Sequence, residues 1–328
     1  MRDADKGHAM GDAMRLVVDI GGTNARLALV AEDSLQPQRE KVVRCADFEG
    51  LEQAVRRYLQ ENGNPAVREA AVDVATGITG DFIRLTNGPW GFSIEQTRRN
   101  LGLDRLHVVN DFTALALAVP ILRQDELQQV GGGMAVPATP IAVIGAGTGL
   151  GVSGLVPVGN GWVALQGEGG HTAFAPMSAR EIGVLDWLRQ QYDHVSTERV
   201  VSGMGLENLY RALCALNSVE AQPLGPDKIT AAALSDSDAQ CVEAVAMFCA
   251  ILGTAAANLV VTLGARAGCY IGGGIVPRLG DYFARSPFRA RFETKGRFSS
   301  YVASVPTYVI LAPTPALRGL ATLFQDAR

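Results

Sequence analysis

The sequence predicts an α/β protein built as two lobes with a cleft between them, and three observations carry that prediction. The first is a repeated glycine-rich turn. Asp19-Ile20-Gly21-Gly22-Thr23-Asn24-Ala25-Arg26 and Gly145-Ala146-Gly147-Thr148-Gly149-Leu150-Gly151 each lie between two apolar runs, as the tip of a β-hairpin does. The second is the order of patterns after the first hairpin, a helix-spaced segment and then an apolar strand. The third is the length of 328 residues, enough for about two domains and for burying about three-quarters of the unfolded surface.

Residues 1–13 are polar, lack the apolar core of a signal peptide and precede a second methionine, Met14, so they read as an N-terminal extension outside the fold and without order of its own. Leu16-Val17-Val18 and Leu27-Ala28-Leu29-Val30 flank the first turn. Leu51, Ala54, Val55, Tyr58 and Leu59 then repeat at helical spacing, and Ala70-Ala71-Val72-Asp73-Val74-Ala75 reads as a buried strand. Leu106-His107-Val108-Val109 is a further strand, ending at Asn110-Asp111 ahead of a small apolar helix over 113–119 that Pro120 should end. Residues 124–140 are polar and then rich in glycine and proline, as a crossing between lobes would be.

The second hairpin joins Ile141-Ala142-Val143-Ile144 to an apolar run over 152–158. Helical spacing returns over 182–192, 206–216 and 241–263, and a strand over 268–271 runs into Gly272-Gly273-Gly274. A last helix over 316–324 puts Leu317, Leu320, Ala321 and Phe324 on one face, which needs a surface to cover. The stretch 241–263 has the length of a bilayer span, but Glu243, Asn258 and many small residues make it a buried helix between the lobes.

Glycine lets a backbone approach a phosphate closely, successive N–H groups there form an anion-binding concavity, and threonine hydroxyls add donors. Two such turns facing each other would hold a nucleoside triphosphate, although either one alone reads equally well as a tight hairpin with no ligand. Asp19, at the end of the first strand, stands where a magnesium ion bridging the phosphates needs an oxygen ligand, directly or through water. No Walker A run occurs. Gly149-Leu150-Gly151-Val152-Ser153-Gly154 has dinucleotide-type spacing, but a β-rich stretch comes after it where that motif requires a helix.

Asp111 suits two roles at its strand end, a base that takes the proton of a hydroxyl attacking phosphorus and a helix N-cap, a job Asn110 can share. Gly167-Glu168-Gly169-Gly170-His171 sets a carboxylate and an imidazole on a backbone too rich in glycine for a helix, which favours hydrogen bonding to a polyol over a metal pair. Glu198 by itself reads as a solvated helix charge.

Composition excludes several classes. The net charge is −4, and lysine occurs only at positions 6, 41, 228 and 295, so no polybasic face for nucleic acid or anionic membrane is present. The five cysteines, Cys45, Cys214, Cys241, Cys249 and Cys269, are odd in number and lack paired spacing, which suggests a reduced, cytoplasmic protein without a cysteine-built zinc site.

Taken together, these residues resemble the bacterial glucokinases of the ASKHA (actin, Hsp70, sugar kinase) superfamily, from about Met14 to the C-terminus. Asp19 to Leu29 is similar to the first phosphate motif of that family, Gly145 to Gly151 to the second, and Ile271-Gly272-Gly273-Gly274-Ile275-Val276-Pro277-Arg278 to its adenosine motif. Ile78-Thr79-Gly80-Asp81, Thr86-Asn87, Asn110-Asp111-Phe112-Thr113-Ala114, Val201-Ser202-Gly203 and Lys295-Gly296-Arg297-Phe298 match in order and spacing. The Gly-Glu-Gly-Gly-His loop and the glutamate after His194-Val195-Ser196-Thr197 point to the glucokinase branch.

The resemblance implies two ribonuclease H-like (actin-like ATPase) lobes, a small one over 14–121 plus 312–328 and a large one over 122–311. It implies transfer of the ATP γ-phosphoryl group to the 6-hydroxyl of glucose, with Asp111 as general base and Asn110, Asp111, Glu168, His171 and Glu198 on the sugar. Gly21, Gly22, Thr23, Asn24, Gly147, Thr148, Gly149, Gly273 and Gly274 would hold ATP, with Asp19 toward Mg²⁺. A homodimer is implied, with neither nucleic acid nor membrane as partner. The chain departs from the family at Thr76-Gly77, where Cys-Pro is common, and at Thr172-Ala173, where the family has Val-Asp after the histidine. Those changes leave open a kinase for another hexose or an aminosugar. A sugar-sensing regulator is the reading from another class, and no helix-turn-helix segment precedes the first hairpin to support it.

Overall fold

The structure, a computed structural model, describes residues 14–85 and 88–325. The expected N-terminal extension over 1–13, the Thr86-Asn87 pair and residues 326–328 of the expected small lobe lie outside the described residues. The chain divides into two compact units, one formed by the described residues up to Pro120 and from Thr314 onward, the other by Ile121–Pro313.

The first unit runs β1 (Met14–Ile20), β2 (Asn24–Ala31), β3 (Gln38–Arg44), α1 (Leu51–Glu61), β4 (Val67–Val74), β5 (Phe82–Arg84), β6 (Gly91–Ser93), α2 (Ile94–Leu101), β7 (Arg105–Asn110) and α3 (Asp111–Ala118). The second runs β8 (Leu127–Gln129), β9 (Ile141–Ala146), β10 (Leu150–Val158), β11 (Gly161–Gln166), α4 (Ala179–Arg189), α5 (Gly203–Leu216), α6 (Pro226–Leu234) and α7 (Ala239–Leu263). It continues through β12 (Gly268–Gly272), α8 (Ile275–Leu279), α9 (Asp281–Arg285), α10 (Phe288–Glu293), α11 (Ser299–Ala303) and β13 (Thr307–Ile310). The chain then returns to the first unit in α12 (Pro315–Thr322).

Each unit holds one main sheet built on the same plan. The five-stranded sheet has the order β3-β2-β1-β4-β7 and the six-stranded sheet the order β11-β10-β9-β12-β13-β8. In the first, β1 is antiparallel to β2 and parallel to β4, which is parallel to β7. In the second, β9 is antiparallel to β10 and parallel to β12, which is parallel to β13. A hairpin meander followed by parallel strands thus occurs twice, the ribonuclease H-like α/β plan that the resemblance implies.

The period-2 alternation of strand side chains sets the cores of the first unit. Leu16, Val18 and Ile20 of β1 pack with Leu51, Ala54, Val55 and Tyr58 of α1, while Val17 joins Ala28, Val30 and Ala71 on the opposite face. Leu317, Leu320, Ala321 and Phe324 cover that second face, so the apolar side of the last helix closes the first sheet. Burial on both faces explains why these strands read as continuous apolar runs. At Gly319 an added methyl would overlap the Ala114 carbonyl oxygen, so α12 lies against α3 at backbone distance.

Two expectations are corrected by the fold. Helix α7 lies inside the second unit, packed on α5, α6, α10 and β9, because apolar residues cover most of its circumference and need partners there. Residues 124–140 are not a plain crossing, since Leu127–Gln129 forms β8 at the edge of the second sheet, antiparallel to β13. The helix after Asn110 ends ahead of Pro120 as expected, regular α geometry stopping at Ala118 with a 3₁₀ turn over Val119–Ile121 after it.

Candidate active site

In the first unit the residues of interest gather at the C-terminal ends of three neighbouring parallel strands. Asp19 of β1 is paired with Asp73 of β4, and Val74 of β4 with Asn110 of β7. Asn110 is the N-cap of α3 and its Oδ1 accepts the N–H of Phe112 at 2.9 Å, while Oδ1 of Asp111 accepts the same N–H at 2.9 Å. Both residues therefore cap the helix, so capping and a chemical role do not compete for one side chain. The Asn110 amide reaches the carbonyls of Val74 and Thr76, each at 3.5 Å, which ties it to the segment where this chain departs from the Cys-Pro pattern.

Burial governs the carboxyls beside it. Asp73 is wholly buried, and neither of its oxygens makes a hydrogen bond of good geometry. Desolvation, then the negative charges of Asp19 and Asp111, raise its pKa well above the usual carboxylate value, which favours the protonated form. Burial also raises the Asp19 pKa, against the lowering effect of the neighbouring Asp73 carboxyl and of Arg26. The sequence reading missed Asp73, where one acid in an apolar strand was the available signal.

The first glycine turn is closed by the Gly21 N–H on the Asn24 carbonyl at 3.0 Å, with Gly22 and Thr23 at its tip. Asp19, immediately before it, offers hard oxygen donors. Among the described residues no group of three or more His, Cys, Asp or Glu is placed to hold a metal. This donor set fits Mg²⁺, which keeps its waters, takes phosphate oxygens from the nucleotide and needs only one or two carboxylates.

The second unit brings together a glycine turn and the sugar-type residues. The Gly147 N–H donates to the Gly149 carbonyl at 2.8 Å, with Thr148 between them. Oε2 of Glu198 accepts the N–H of Leu150 at 2.9 Å, and a methyl added at Gly149 would strike that same oxygen. The N–H of Gly203, at the start of α5, donates to the Gly147 carbonyl at 2.8 Å, and the Ser202 hydroxyl donates to the Glu198 carbonyl at 2.8 Å. Glu198 is thus a half-buried tie to the glycine turn, which corrects its reading as a solvated charge.

Glu198 and His171 line one open cavity of about 390 Å³ with Tyr192, His194 and Arg199. The His194 Nε2 sits 2.9 Å from the His171 carbonyl, and the Arg199 guanidinium lies 4.1 Å over the Tyr192 ring. Glu168 is not part of that lining. It is exposed, and its carbonyl accepts the His171 N–H at 3.0 Å, closing a 3₁₀ turn over Gly169–His171 where the sequence predicts no helix. Gly273 and Gly274 lie between β12 and α8. Gly273 has φ of 79° and a methyl there would overlap the Ala146 carbonyl, so only glycine lets this turn meet the end of β9.

Comparisons with known proteins bear on the family and the fold. The family model described as Glucokinase matches residues 16–327. The glucokinase of Chromobacterium violaceum is 53% identical over 317 residues, covering 95% of this chain and 89% of that protein. The glucokinase of Neisseria meningitidis serogroup C is 50% identical over 312 residues, covering 95% of each. The solved glucokinase of an Antarctic psychrotroph superposes with a TM-score of 0.87 at 34% identity, covering 96% of this chain and 99% of that one.

Proposed function

The chain belongs to the glucokinase family, and from that premise we propose how its residues carry the activity. It is an ATP-dependent kinase that transfers the γ-phosphoryl group of ATP to the 6-hydroxyl of glucose, giving glucose 6-phosphate and ADP. The observation that carries the residue assignment is the hydrogen bond from the Leu150 N–H to Glu198. It puts a carboxylate suited to accepting sugar hydroxyls in contact with a glycine turn suited to phosphate.

In this reading Asp111 accepts the proton of the 6-hydroxyl as its oxygen attacks the γ-phosphorus. Its place at the first turn of α3 beside Asn110 supports that role, since the cap fixes the carboxylate against rotation. Asn110, Asp111, Glu168, His171 and Glu198 hold the sugar hydroxyls. The shared cavity of His171 and Glu198 supports their part, and the turn linking Glu168 to His171 supports the third.

The N–H groups of Gly22, Thr23 and Asn24, and of Thr148 and Gly149, cradle the phosphates, while Gly21 and Gly147 close the two turns and Gly273 and Gly274 lie toward the adenosine. Asp19 would hold Mg²⁺, directly or through water. The ion supplies charge neutralisation at the phosphates. The Thr76-Gly77 segment, through its carbonyl contact with Asn110, is where selectivity among hexoses is set. The reading also includes a homodimer, carried over from the family resemblance, and a cytoplasmic location, as the cysteine usage suggests.

The test is a coupled assay of the purified 328-residue protein with ATP and Mg²⁺ against glucose, mannose, fructose, glucosamine and N-acetylglucosamine. Glucose is expected to give the highest kcat/KM, and light scattering to give twice the chain mass. A higher value for an aminosugar would overturn the substrate.

A further inference from the structure

A cavity of about 260 Å³ in the second unit lies outside the residues assigned to sugar and nucleotide. Its walls are Leu150 and Val152 of β10, Phe174, and Ile251, Ala255 and Leu259 of α7. Thr172, Asn258 and Thr262 line it as well and are exposed, so the cavity opens to solvent. The hydroxyls facing it are already spent on the backbone. Thr172 donates to the Gly169 carbonyl at 2.8 Å, Thr197 to the Thr172 carbonyl at 3.1 Å, and Thr262 to the Asn258 carbonyl at 2.7 Å. The walls therefore present methyl groups and behave as an apolar surface. A dry cavity of about 150 Å³ takes a benzene, so this one has room for a ring with a short side chain.

A cation stands at the rim. The Lys295 ammonium donates to Oδ1 of Asn258, one of the lining residues, and has no carboxylate partner among the described residues. Burial lowers its pKa, the mark of an ammonium held partly out of water without a counter-charge. A second cation, Arg291, reaches Thr254 of the lining at 3.4 Å, but its charge is balanced by Glu181 at 2.7 Å. Lys295 belongs to the Lys-Gly-Arg-Phe motif, which the assignment of the reaction leaves without a role.

The cavity also touches the sugar-type loop from behind. Gly169, Thr172 and Thr197 line it, and these adjoin Glu168, His171 and Glu198, while Leu150 of its wall gives the N–H that Glu198 accepts. We propose that this cavity is a regulatory site for a small organic anion with an apolar body, an aromatic or branched-chain carboxylate of roughly ten heavy atoms, whose binding shifts the sugar-holding loop and so changes affinity for the sugar. The carboxylate meets Lys295 and the body fills the space between α7 and β10. The coupling half rests on the assignment of Glu168, His171 and Glu198 to the sugar; the site itself does not.

The experiment uses the full chain with 3-phenylpropionate as probe and 3-phenylpropanol as its uncharged counterpart, with binding read by ligand-observed NMR without sugar. Both are expected to bind. Lys295→Gln should weaken the acid about tenfold, the loss of one charge-assisted contact, and leave the alcohol within about twofold. Thr262→Trp, at the exposed mouth, should abolish binding of both without lowering the melting temperature, and Ala255→Leu is the second filling variant. Saturating acid should then shift the KM for glucose at least twofold, with the KM for ATP little moved. Absence of binding by the parent at ~10 mM, or equal binding by Thr262→Trp and Ala255→Leu, overturns the site. Binding that leaves the glucose KM unmoved overturns the coupling. Failure of glucose phosphorylation in the absence of probe would instead count against the assigned function.

Discussion

Asp111 keeps one carboxylate oxygen on the Phe112 N–H, so Asp111→Asn preserves size and cap while removing basicity. We expect kcat to fall by about two to four orders of magnitude with glucose affinity by calorimetry nearly unchanged, the pattern of losing a positioned general base. Near-normal turnover would refute the role. Glu198→Gln keeps an oxygen for the Leu150 N–H but loses the charge, and should weaken glucose binding by about 1.5–3 kcal/mol while the KM for ATP changes less. Asp73 makes a different forecast, about stability. Its folded pKa lies above the unfolded value, so above roughly pH 4 the unfolded chain has released a proton that the folded chain retains, and stability falls as pH rises toward the folded pKa. Asp73→Asn carries no such proton. Its urea midpoint should exceed the parent's at pH 7 and converge with it near pH 4, and a lower midpoint at pH 7 would show that Asp73 is stabilising as an anion.

At the scale of elements, α3 and α12 depend on one small residue. Gly319→Val puts a branched side chain where even a methyl overlaps the Ala114 carbonyl, and the backbones must separate. A loss of about 2 kcal/mol or more in urea unfolding is expected. Gly132→Ala, where an added methyl meets nothing within 4 Å, is the matched control and should stay within about 0.5 kcal/mol of the parent. The hairpin turns were legible in the sequence because glycine, threonine and flanking apolar runs are local signals. The short helices α8 to α11 were not, since each spans only 5 or 6 residues and is held by tertiary packing, as Phe283, Phe288, Phe292 and Val302 in the core show. Strand β8 escaped for the same reason. Leu127-Gln128-Gln129 has no strand pattern of its own and is recruited by pairing with β13.

For the whole molecule, the core decides how the cysteines behave. All five are buried and free, and desolvation pushes the thiols of Cys241, Cys249 and Cys269 up to about 12. The native protein should therefore react with a thiol reagent such as DTNB very slowly at pH 8, and with all five thiols once unfolded in guanidinium. Rapid labelling of several thiols in the native state would show that these cores open readily. The first unit also depends on the end of the chain, because α12 supplies Leu317, Leu320, Ala321 and Phe324 to the face of the sheet that bears Val17, Ala28 and Val30.

The sequence by itself determined the α/β class, the two glycine turns, the long helices, the strand-end setting of Asn110 and Asp111 and the glycine-rich setting of Glu168 and His171. These rest on periodicity, turn chemistry and motif spacing, which are properties of neighbouring residues. Only the tertiary structure decided that Glu198 is tied to the glycine turn through Leu150, and that Asp73 shares a strand register with Asp19. An isolated carboxylate looks the same in sequence whether water or a buried backbone N–H receives it. Its meaning comes from groups that only the packing of distant strands and loops brings within hydrogen-bond distance, and that packing is set by the whole core.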